Sequence, residues 1–125
     1  MSARLILQLA AFLGALGVGI GAFGAHSLRP MLEATGRFDT FETAVRYQFY
    51  HTLALAAVGV LLAARPELRG LGLTAGLWLG GMVLFCGSLL ALCFTGYTKL
   101  GAVAPIGGLL FIAGWISLLV VARQL

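Results

Sequence analysis

Apolar residues run almost unbroken through four stretches of the chain, residues 5–25, 47–64, 70–98 and 100–122, with the acidic residues, lysine and arginines confined to the joints and ends. A helix crosses a bilayer with roughly 20 mostly apolar residues, so each stretch is long enough to span. The pattern predicts membrane helices at about 4–26, 40–64, 70–96 and 102–123. The joins between the second and third helices, RPELRG, and between the third and fourth, GYTKLG, are short, which forces antiparallel neighbours. The expected fold class is an all-α integral membrane protein, a four-helix bundle running up-down-up-down as one transmembrane domain over 1–125. In the longer first connection, Leu28, Met31 and Leu32 fall at i, i+3 and i+4, Pro30 lies near a first turn and Gly36 stands where a helix would stop. That spacing predicts a short interfacial helix, which Phe38 and Phe41 extend towards the second span.

The second predicted span carries most of the chemistry. Asp39 followed by Glu42 reads as an N-cap and capping-box pair, starting a helix near Thr40. Arg46, Tyr47, Gln48 and His51 follow on its first three turns. Ionisable groups in a spanning helix are costly in hydrocarbon and face protein or a water-filled cavity, so this helix is expected to be central. Tyr47 and Gln48 stand four and three residues before His51 and can share a face with it. His26, at the end of the first span, and Lys99, in the third turn, fall on the same side of the membrane. Arg46 is expected to pair with Glu42, one turn earlier, or with a carbonyl of the first helix.

Small residues mark the packing faces. Gly14, Gly17, Gly21 and Gly24 form a stripe on the first span, Gly72, Gly76 and Gly80 another on the third, and Gly107, Gly108 and Gly114 a third on the fourth. Membrane helices associate through such close-approach faces. The stripes are sufficient for internal packing and raise the expectation of a homo-oligomer.

Composition strengthens this picture: 61% of residues are hydrophobic and 10% charged, with a mean hydropathy of +1.04, well outside the range of soluble domains. The net charge of +4 is scattered over helix ends, which suits lipid headgroups and not nucleic acid. Four basic residues fall on each side, Arg4, Arg65, Arg69 and Arg123 with the termini and Arg29, Arg37, Arg46 and Lys99 opposite. The acids of the first loop tilt the expectation towards cytoplasmic termini. The first span exceeds the usual signal-peptide core of about 7 to 15 residues and is read as a retained helix. Cys86 and Cys93 are seven residues apart on one predicted helix, about 10 Å along its axis and too far for a disulfide. They read as small apolar residues, with no metal-site spacing.

GAFGAH at residues 21–26, TAVRYQFYHTLAL at 43–55, LFCGSLL at 84–90 and APIGGLLFIAGW at 104–115 together resemble the domain-of-unknown-function 423 family. One motif falls in each span. The resemblance implies a small four-helix inner-membrane protein of bacteria, related to the eukaryotic transmembrane protein 256, and brings no biochemical activity with it. Cys86 and Leu90 stand where that pattern has Ser and Tyr, and Ser27 stands for a Gly.

Four readings of the polar cluster His26, Arg46, Tyr47, Gln48, His51 and Lys99 remain open on the sequence. It is interhelical glue; or a pocket for a lipid headgroup or quinone, since arginine and histidine suit phosphate and carbonyl groups; or a bis-histidine haem site; or part of a small transporter. No nucleophile–base pair, phosphate loop or metal-spacing motif is present, which speaks against an enzyme. The cofactor stays unassigned, and membrane lipids are the expected partners.

Overall fold

A computed structural model describes all residues, Met1–Leu125. It is entirely helical. The first span, α1, covers Ala3–Ala25, and the Ser2 hydroxyl caps it by accepting from the Leu5 N–H at 3.2 Å. A short α2, Arg29–Ala34, has Pro30 in its first turn, where the missing N–H costs nothing. The second span, α3, is Phe38–Ala64. The third, α4, runs Leu71–Thr95 and widens to a π-helical turn over Met82–Gly87. A 3-10 turn, Thr98–Ala102, leads into α5, Ala104–Ala122. These four long helices are apolar enough to cross a membrane.

The start of α3 departs from the sequence expectation. Arg37, not Asp39, occupies the cap position, and Asp39 lies in the first turn with no side-chain cap bond. The reason is local. Gly36 adopts φ +69° and closes α2 through the Arg37 N–H to Leu32 carbonyl bond of 2.8 Å, so the chain is already aimed along α3 when it reaches Phe38. Asp39 still faces the positive end of the helix dipole. Glu42 is free of capping duty and turns one turn forward to Arg46, its expected partner.

The glycine stripe of α1 sets the register against α3. Gly14 faces Thr52, Gly17 faces Gln48, Gly21 faces Val45 and Gly24 faces Phe41; at Gly17 and Gly24 a methyl group would overlap the opposing side chain. The α4–α5 pair repeats the device at Gly107, which lies against the backbone of Phe85, and at Gly114, which lies flat against the Trp78 indole. The Gln124 amide then clasps Arg69, accepting from its N–H at 2.9 Å and donating to its carbonyl at 2.8 Å. The two antiparallel pairs meet where α3 packs on α4, and Trp78, Ile6, Leu55 and Leu71 are fully buried at that centre. Leu32, Phe41 and Cys93 form a second, smaller cluster under the first loop.

Candidate functional site

Successive residues of a helix are rotated by about 100°, so neighbours in sequence part company in space. The polar residues of α3 leave it in three directions. The six candidates do not line one cavity.

Arg46 stays on the rim. Its side chain is half exposed and donates through Nη2 to Glu42 Oε2 at 3.0 Å. The pair borders a groove between α1 and α3, lined also by Gly21, Gly24, Phe38, Phe41 and Val45, with a volume of about 90 Å³. Phe41 enters beside Gly24, and Ala25 stands at the exposed edge.

Gln48 turns to α1. Buried, it donates from Nε2 to the Leu13 carbonyl at 2.7 Å and to Thr52 Oγ1 at 3.2 Å, while its Oε1 has no partner and packs on Gly17. Thr52, which the sequence reading passed over, donates to the Gln48 carbonyl at 2.8 Å and lies 3.8 Å from Met82 Sδ. This chain of contacts links α1, α3 and α4 and uses every good donor it has.

His51 turns the other way, towards α4 and α5, with Tyr47 one turn before it. The imidazole stacks on Phe111, with ring centres 3.6 Å apart and planes 10° from parallel, and meets the edges of Trp78 and Trp115 at 6.0 and 5.9 Å. The Trp115 indole N–H points at His51 Nε2 at 3.1 Å. An indole only donates, so Nε2 accepts and Nδ1 carries the proton, which it gives to the Tyr47 carbonyl at 2.7 Å. Both ring nitrogens are engaged. Tyr47, partly exposed, closes the cluster against Phe85 at 5.0 Å. Trp115 was missed in the sequence reading, although an indole in an apolar helix needs an acceptor.

His26 and Lys99 lie outside both groups. His26 is exposed at the end of α1, in a shallow depression with Gly19, Ala22, Phe23 and Ser27. Lys99 is exposed on the 3-10 turn. The expected convergence fails because His26 falls past the end of α1 on a face turned from α3, and because Arg46 stays at the exposed rim while Gln48, two residues on, is buried against Leu13 of α1. A bis-histidine haem does not fit this arrangement, since His51 has no ring nitrogen left for an iron. No three His, Cys, Asp or Glu side chains gather anywhere in the chain.

Outside the spans, Arg65 hydrogen-bonds Glu67 and holds that carboxyl below the usual carboxylate range. On α2, Arg29 pairs with Glu33 at 2.8 Å and covers the Phe38 ring at 4.9 Å.

The family described as Protein of unknown function (DUF423) matches residues 20–108. The UPF0382 membrane protein of Haemophilus influenzae is 42% identical over 112 residues, covering 90% of this chain and 88% of its own. The UPF0382 membrane protein SH2409 of Staphylococcus haemolyticus is 41% identical over 119 residues, covering 94% and 93%. The UPF0382 inner membrane protein YgdD of Escherichia coli is 37% identical over 125 residues, covering 100% and 94%. No solved structure matches the chain.

Proposed function

This chain belongs to the DUF423 family of multi-pass membrane proteins, and from that premise we propose that it is a small lipid-binding protein of the inner membrane, with its site in the groove between α1 and α3. One observation carries the reading. The groove has apolar walls, lies between the last turns of α1 and the first turns of α3, and has a charged pair, Arg46 with Glu42, on its rim. Phosphate is a natural ligand for a guanidinium, and the volume of about 90 Å³ is on the order of three water volumes, enough for the first methylenes of an acyl chain. The quinone reading is weaker, because Gln48 and His51, the groups suited to a carbonyl, are turned inward and engaged. Termini in the cytoplasm complete the proposal. Side-chain charges sum to +3 on the terminal side, from Arg4, Arg65, Arg69 and Arg123 against Glu67, and to +1 on the other, from Arg29, Arg37, Arg46 and Lys99 against Glu33, Asp39 and Glu42. The basic residues alone tie at four each, and the rule of positive loops counts only those. A homo-oligomer is proposed to use the α4 face at Gly76, which is exposed, whereas the α1 stripe is covered by α3.

The test is native mass spectrometry of protein purified gently from membranes. A bound phospholipid is expected, and Ala25→Leu, which fills the groove from its exposed edge, lowers its occupancy. Protein that is folded and free of lipid, or an Ala25→Leu variant that binds as well as the parent, overturns the proposal.

A further inference from the structure

The charges on the groove are not a lone cation. Arg46 is paired, and its partner Glu42 lines the same groove. Both side chains are about half exposed, so the pair is open to a ligand as well as to itself. The bond to Glu42 engages Nη2 and leaves the other guanidinium N–H groups without a protein partner. An anionic lipid gains Arg46 and meets the Glu42 carboxylate at the same time. A zwitterionic headgroup gains both.

Depth separates the zwitterions from their mirror arrangement, and hydrogen bonding separates them from one another. The chain enters the membrane at the start of α3, so Arg46 lies one turn deeper than Glu42, about 6 Å along the axis. In a phospholipid the phosphate is the deeper group and the amine the outer one. The order of charges down the helix therefore complements the order of charges down the lipid. A carboxylate accepts hydrogen bonds and a primary ammonium donates them, whereas a choline has no N–H to give.

We infer that the groove selects phospholipids with a phosphoethanolamine headgroup, the phosphate on Arg46 and the primary ammonium on Glu42. This rests on the lipid-binding reading above and names the lipid class for the same groove. Ligand exchange replaces one internal ion pair with two intermolecular ones, and no charge is left unmatched. Exposed ion pairs contribute modestly, so the selectivity expected is up to about fivefold.

The experiment equilibrates delipidated protein with nanodiscs of equimolar dioleoyl phosphatidylethanolamine, phosphatidylcholine and phosphatidylglycerol, and reads bound lipid by native mass spectrometry. The parent is expected to carry phosphatidylethanolamine about two- to fivefold over either other lipid. Glu42→Gln frees Arg46 from its acid and shifts the preference to phosphatidylglycerol. Arg46→Gln abolishes the headgroup preference and keeps chain binding. Both substitutions are on exposed side chains, and helical circular dichroism with thermal melts verifies that each variant folds. Lipid bound without headgroup preference, or with phosphatidylglycerol preferred by the parent, overturns the selectivity and leaves the groove as a lipid site. No lipid bound by any of the three proteins overturns both.

Discussion

Replacing Trp115 by Phe tests the hydrogen bond that crosses from α5 to α3. The substitution keeps an aromatic ring beside His51 and removes the one donor aimed at Nε2. Two contributions set the size of the effect. Lost ring area counts for little, because the Trp115 side chain is about half exposed to lipid, and lipid tails solvate an aromatic ring nearly as well as protein does. The orphaned acceptor counts for more. His51 is 4% exposed, and a buried polar atom left unpaired costs about 1 to 3 kcal/mol in water-soluble proteins. Interhelical hydrogen bonds within membranes average about 0.6 kcal/mol and reach about 1.7. A destabilisation of about 1 kcal/mol is therefore expected, about a fivefold change in the folded-to-unfolded ratio. Reversible unfolding in mixed micelles of dodecyl sulfate and a mild detergent measures it. A double-mutant cycle with His51→Phe, which preserves the stack on Phe111, isolates the pair from changes in packing and should return a coupling of about 0.5 to 1.5 kcal/mol. Coupling below about 0.3 kcal/mol, within the ordinary scatter of independent sites, refutes the claim that the indole and imidazole are bonded.

Two glycine substitutions should move stability in opposite directions. Gly107→Ala drives a methyl group into the α4 backbone at Phe85, which cannot rotate aside, and overpacking of this kind costs about 1 to 3 kcal/mol; Gly19→Ala meets nothing within 4 Å and should gain up to about 1 kcal/mol of helix propensity, with the same micelle assay reading both. Glu67 should titrate below a free glutamate when followed by carboxyl-carbon NMR, because Arg65 donates to its ionised form. A carboxyl depressed in the folded state stabilises the turn above its unfolded pKa and loses that contribution as pH falls through its folded pKa, so Arg65→Gln should raise the midpoint and an unchanged midpoint argues against the bond in solution. A phosphatase reporter fused after Leu125, active only outside the cytoplasm, should be silent.

Length and hydropathy made the four spans readable without coordinates, and the α1 glycine stripe marked the face that packs on α3. Those signals work because they are regular. The misplaced start of α3 came from Gly36, whose left-handed turn acts on the residue after next and outweighs the side-chain preference of Asp39 for a cap. The polar cluster was readable as a set of residues but not as a geometry. A helix offers three or four faces to its neighbours, and whether Gln48 joins His51 or leaves for α1 depends on which helices flank α3. The wide turn at Met82–Gly87 has no marker in its own residues. It lies beside the layer in which Phe85 packs against both Tyr47 and Phe111.

The partners of Gln48 and His51 are made at different times. The Leu13 carbonyl that receives Gln48 precedes it by 35 positions, so α1 is already available when Gln48 leaves the ribosome. Trp115 follows His51 by 64 positions. At roughly 5 to 20 residues per second, His51 waits on the order of 3 to 13 seconds for its donor. During that interval Nδ1 is served from within its own helix by the Tyr47 carbonyl, and only Nε2 is exposed. The last helix to be synthesised is thus the one that completes the polar interior, and a nascent chain stalled before α5 displays an unsatisfied imidazole nitrogen that the finished protein conceals.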